Sequence, residues 1–108
     1  MKEKTIAFDV DGTLISNTNG LGKEHINLVP FQLMVLLSKQ KNVRIMVWSG
    51  GGKEYAEQIV SKYGLARYVD IVIAKQEYDE VLHGHVDIAF DDQHEFSLAD
   101  KNIIVRAK

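Results

Sequence analysis

The sequence predicts an α/β domain built on a parallel sheet with helices on each side. Two observations carry this. Short runs of apolar and β-branched residues alternate with segments of helical periodicity, and those runs are apolar on both faces, as strands covered from both sides are. A third observation says where chemistry would sit. Several strands end in polar residues, and ligands of such sheets bind beyond the carboxyl ends of the strands, at a topological switch point.

The first strand is "KTIAFD", Lys4 to Asp9. The segment Val29 to Lys41, "VPFQLMVLLSKQK", is long and broadly apolar, with Pro30 suited to a first helical turn. "VRIMVWS", Val43 to Ser49, is a second strand rich in β-branched residues. Ala56, Ile59, Val60 and Tyr63 recur at helical spacing, and Gly64 stands where a helix C-terminal glycine belongs. "VDIVIA" (Val69 to Ala74), "VDIAFD" (Val86 to Asp91) and "NIIVRA" (Asn102 to Ala107) complete five strands. Gln76 to His83 and His94 to Ala99 could each hold a short helix between them.

The 108 residues fit one domain, 1–108, with a single modest core. A net charge of −2 gives no global basic field and so no strong signal of nucleic-acid binding, which leaves room for a local basic patch. The absence of cysteine excludes disulfides, thiolate metal sites and cysteine nucleophiles. "MKEKTIAF" has no signal-peptide apolar core and no run approaches a membrane span, so a cytoplasmic protein without membrane partners is expected.

Four motifs carry chemistry. In "FDVDGTL", Asp9 and Asp11 stand two residues apart, so in an extended chain both carboxylates point one way, roughly 6–7 Å apart. A buried strand ending in two acids needs compensation, and a divalent cation supplies it. An EF-hand is excluded, because Leu14 and Gly20 stand where its glycine and glutamate belong. In "VWSGGGKEYA", Ser49 at a strand end precedes Gly50, Gly51 and Gly52 and then a helix, a pattern suited to an anion. A Walker loop is excluded by Val47 and Glu54 at its glycine and Ser/Thr positions. Lys75 follows the third strand, where a cation would neutralise a phosphate and the nucleophile beside it; Lys53 in the glycine loop competes for that role. Asp91 and Asp92 close the fourth strand as a second acidic pair. Hard oxygen donors without cysteine suggest Mg²⁺ rather than zinc. His25, His83, His85 and His94 do not have zinc spacing, and His94 is only a candidate neighbour of the acidic pair.

With these motifs in this order, the chain resembles the haloacid dehalogenase (HAD) superfamily over roughly Lys4 to Asp92. "FDVDGTL" matches its first motif, "VWS" its second, Lys75 its third and "FDD" its fourth. The resemblance implies a Rossmann-like three-layer α/β/α sandwich, with a five-stranded parallel sheet in the order 5-4-1-2-3. It implies Mg²⁺-dependent phosphomonoester hydrolysis through an aspartyl-phosphate on Asp9, with Asp11 as acid and base. It implies a metal held by Asp9, the Asp11 carbonyl and Asp91, with Asp92 direct or through water. It assigns Ser49 and the Gly50 amide, in the loop with Gly51 and Lys53, to the phosphoryl oxygens, and Lys75 to Asp9 and the phosphate.

The chain departs from many relatives in having no cap domain. Ile15 to Val29 leaves room only for a flap hairpin around "NGLG", carrying Asn17, Thr18, Asn19, Lys23 and His25, and Gln76 stands where a proline usually follows the lysine. An open site implies a macromolecular phosphate, or a small sugar or nucleotide phosphate covered by the flap or by a second subunit. The phosphorylated substrate is not named by the sequence. A receiver domain is set aside because the third strand ends in Ala74-Lys75 rather than an acceptor aspartate. The alternative is a HAD-fold binding or regulatory module with little or no turnover.

Overall fold

The computed structural model describes residues 4–18, 23–77, 86–91 and 101–104. In chain order the strands are β1 (Lys4–Asp9), β2 (Ile15–Thr18), β3 (Lys23–Ile26), β4 (Val43–Ser49), β5 (Ile71–Ala74), β6 (Ile88–Asp91) and β7 (Lys101–Ile104). Helix α1 (Leu28–Ser38) precedes β4, and α2 (Lys53–Lys62) follows it. The main sheet runs β5-β4-β1-β6-β7 and every neighbouring pair is parallel. β1 is therefore interior, which agrees with burial of every residue in it after Lys4. β2 and β3 form a separate antiparallel pair, Ile15 opposite Ile26, at the place the sequence leaves for a flap.

Alternation along the strands sorts the core into two faces. Ile6, Phe8, Ile45, Val47 and Phe90 pack with Met34 of α1 and Ala56, Ile59 and Val60 of α2. Across this face the Phe8 and Phe90 rings stack with centroids 4.9 Å apart, joining β1 to β6. Ala7, Met46, Trp48, Ile73 and Ala89 point the other way and form the second cluster with Val86. Both described helices pack on the first face. The short helices expected over Gln76–His83 and His94–Ala99 fall outside the described residues, except for a 3-10 turn at Lys75–Glu77.

The third and fourth strands start later than the apolar runs suggest, and the reason is the same in both. Asp70 ends its backbone path into β5 with its amide donating to the Ile45 carbonyl and its carboxylate accepting the Ile45 amide at 2.9 Å. Asp87 does the same to Thr5, its amide on the Thr5 carbonyl and its carboxylate taking the Thr5 amide at 2.8 Å. The repeated "VDI" thus uses aspartate as a side-chain bracket that fixes the register of β5 against β4 and of β6 against β1. The last strand begins at Lys101 and is described to Ile104 rather than to Ala107.

Helix α1 stops at Ser38, short of the expected Lys41. The Ser38 hydroxyl donates to the Val35 carbonyl, and the Lys39 and Gln40 amides close turns onto Leu36 and Leu37. At the end of α2, Gly64 has φ +66°, with its amide on Ser61 and the Leu65 amide on Val60. That pairing satisfies the last helix carbonyls and drops Leu65 into the core. An added Cβ at Gly64 meets nothing within 4 Å, so its cost is backbone conformation alone. Gly64→Ala is expected to lower unfolding free energy by about 1 kcal/mol in urea titration, with an unchanged m-value.

Candidate active site at the strand ends

β1, β4 and β6 finish side by side, so Asp9, Ser49 and Asp91 come to one end of the sheet. All three are buried, with exposures of 5%, 1% and 2%. Lys75, the first residue after β5, is also buried and reaches between the acids. Its Nζ lies 3.0 Å from Asp9 Oδ1 and 2.5 Å from Asp91 Oδ2. The two carboxylates are thus brought to a single cation, and their oxygens are no farther apart than the sum of those contacts. The same ammonium lies 5.9 Å from the centre of the Trp48 ring.

At this centre two buried carboxylates meet one buried ammonium. Burial alone would push the Lys75 ammonium down, but hydrogen bonding to Asp91 and the charge of Asp9 outweigh it, and the net shift is upward. Lys75 is therefore a cation here. Carboxylate oxygens such as those of Asp9 and Asp91 are the donors magnesium takes. Among the described residues no three His, Asp or Glu side chains converge as a ready-made metal cage. Asp92, the other expected acid, and His83, His85, His94 and Asn19 lie outside the described residues.

Asp11 differs from these buried groups in being exposed. After β1 the chain turns sharply: the Leu14 and Ile15 amides reach back to the Asp9 and Val10 carbonyls, and Gly12 has φ +79°. Asn27 holds this turn from the start of α1, its side chain donating to the Thr13 carbonyl at 2.8 Å and accepting from the Ser16 hydroxyl at 3.0 Å. The turn leaves Asp11 exposed, with Oδ1 accepting a 2.6 Å hydrogen bond from Tyr55 Oη. Sequence reasoning does not single out Tyr55. The available signal is its place on the first turn of α2, two residues past Lys53.

The glycine loop is partly spent on itself. The Gly51 amide donates to Ser49 Oγ at 2.9 Å, so that amide is turned inward rather than toward a ligand. Gly50 and Gly51 are exposed, and Gln76 Nε2 lies 3.3 Å from the Gly50 carbonyl. Lys53, the first residue of α2, is exposed, whereas Lys75 touches the acids; the two lysines the sequence leaves in competition occupy different environments. The hairpin is tied down by Glu24 of β3, whose carboxylate accepts from Lys62 Nζ at 2.7 Å and Tyr63 Oη at 2.6 Å. Those two bonds, Lys62's the larger, hold the Glu24 carboxyl below its ordinary value.

Comparison with known proteins returns no match: no family model, no curated protein and no solved structure is significantly similar to the chain. Among the described residues, no helix is long and apolar enough to cross a membrane.

The shared ammonium makes a stability prediction. A cation whose pKa is raised by folding contributes stability that is complete below its ordinary value and lost as pH climbs through the raised one, so the contribution of Lys75 should be lost only at strongly alkaline pH. Lys75→Met removes the cation and leaves two facing carboxylates. In metal-free buffer it should lose about 3–5 kcal/mol at neutral pH. Part of that loss should return as pH falls toward about 5, because facing carboxylates take up a proton more readily when folded than unfolded. Chemical denaturation across this range checks it; an equal deficit at both pH values would contradict the arrangement.

Proposed function

We propose that the chain is a Mg²⁺-dependent phosphomonoester hydrolase of the HAD type, working through an aspartyl-phosphate on Asp9. The observation that carries this is the Lys75 ammonium shared by Asp9 and Asp91 at the carboxyl end of the sheet, beside Ser49. The sheet order adds support. Counted within the large sheet alone, its strands read 3-2-1-4-5, which is the family order 5-4-1-2-3 taken from the other edge.

In this reading Asp9, the Asp11 carbonyl and Asp91 would hold the magnesium ion, with Asp92 direct or through water. When bound, the ion supplies positive charge to the phosphoryl oxygens and offsets the repulsion between carboxylate and phosphate. Asp9 attacks phosphorus, the bond to the leaving oxygen breaks with its electron pair on that oxygen, and Asp11 delivers a proton there. Asp11 then takes a proton from water. The water oxygen attacks phosphorus, the bond to Asp9 breaks, and inorganic phosphate leaves with Asp9 restored. Lys75 neutralises Asp9 on approach and steadies the phosphoryl group. Ser49 already accepts from the Gly51 amide, so its own hydroxyl proton is the group it has to offer a phosphoryl oxygen. The substrate is a phosphomonoester presented either by a macromolecule or by a small sugar or nucleotide under the β2–β3 hairpin or a second subunit.

The test is phosphate release from an aryl phosphate and a panel of phosphorylated metabolites and oligonucleotides. Turnover should require Mg²⁺ and fall at least about 10³-fold in Asp9→Asn. Beryllofluoride should bind the native protein with Mg²⁺ and not Asp9→Asn. No hydrolysis across the panel, with phosphorylated ligands still bound, would replace the hydrolase with a binding module on the same fold.

A further inference from the structure

The proton donor of this scheme, Asp11, stands on an exposed turn, where a carboxylate on a short side chain has several rotamers open to it. Among the described residues one side chain restrains it: Tyr55, whose hydroxyl meets Oδ1 at 2.6 Å. Tyr55 is itself held in place. It is partly buried on the first turn of α2, and its ring lies along Gly51. A Cβ at Gly51 would come within 3.3 Å of both the Tyr55 ring and Ser49 Oγ, so a side chain at residue 51 would push the ring or the hydroxyl aside by a few tenths of an ångström. Ser49, Gly51, Tyr55 and Asp11 thus form one run of contacts from the expected phosphoryl-binding hydroxyl to the expected proton donor.

We propose that Tyr55 is a positioning residue for Asp11: its hydroxyl pins Oδ1, so that Oδ2 is the oxygen that carries the proton to the leaving group. This rests on the hydrolase reading above. A phenol has one proton to give, and in this pairing it goes to the carboxylate. Burial first, and then the bond to Asp11, raise the Tyr55 hydroxyl well above its ordinary pKa, so it remains a donor across the working range. General acid catalysis needs donor and acceptor within about 2.6–3.2 Å, and a displacement of about 1 Å can cost 10²-fold. A pinned carboxylate avoids that loss.

The consequence depends on the leaving group. Alkoxide needs the proton as the bond breaks, whereas nitrophenolate leaves without it. Tyr55→Phe keeps the ring against Gly51 and removes only the hydroxyl. With β-glycerol phosphate its kcat should fall about tenfold with KM within about twofold, while kcat for p-nitrophenyl phosphate should stay within about twofold. In an Asp11→Asn background the same change should cost nothing further, because the group it positions is gone. Tyr63→Phe, which removes the tyrosine–carboxylate bond to Glu24 just past the end of α2, should not separate the two substrates. Equal losses on both substrates, no loss on either, or a loss that persists in Asp11→Asn would each overturn the positioning role while leaving the hydrolase intact. A native protein that hydrolyses neither substrate overturns the hydrolase reading, and the role of Tyr55 with it.

Discussion

The ammonium of Lys75, held between Asp9 and Asp91, is the interaction on which the rest of the site depends. Each of the three groups would be costly to bury alone. Together they are tolerated, and they tie the ends of three strands that are far apart in sequence.

The surrounding fold holds that centre in register. Asp70 and Asp87 bracket the starts of β5 and β6 against Ile45 and Thr5, so the opposite ends of those strands arrive level with Asp9 and Ser49. A slip of one residue would carry Asp91 or Lys75 to the other face. Asn27 ties the turn after β1 to the start of α1, and Glu24 ties the hairpin to Lys62 and Tyr63 at the end of α2. Helix α2 therefore anchors the hairpin at one end through Lys62 and Tyr63, and Asp11 at the other through Tyr55. Exposed ion pairs contribute little energy individually, so the Glu24 contact is better understood as fixing geometry than as adding stability.

Much of this is legible in the residues. The alternation of β-branched runs with helical periodicity gives the strands and α2 closely, because local pattern and burial agree there. "VRIMVWS" becomes β4 residue for residue. Strand starts are less legible: Asp70 and Asp87 look like part of their apolar runs until their carboxylates are seen taking amides from neighbouring strands, a contact that spans 25 residues in one case and 82 in the other. The convergence of Asp9, Asp91 and Lys75 follows from strand-end polarity plus a parallel sheet, both of which can be inferred without coordinates. Two things cannot. The inward turn of the Gly51 amide onto Ser49 depends on loop conformation, and the Tyr55–Asp11 bond depends on how α2 sits against the turn after β1.

The central claim is that Asp9, at the crowded strand ends beside Lys75 and Asp91, carries a phosphoryl group in the proposed reaction. The most direct measurement is covalent trapping: the native protein is incubated with Mg²⁺ and acetyl phosphate, quenched in acid, reduced with borohydride and digested for mass spectrometry. The account predicts reductive conversion at Asp9 and at no other carboxylate. Modification confined to a different acid, or none under conditions where the protein is folded and metal-loaded, would contradict it.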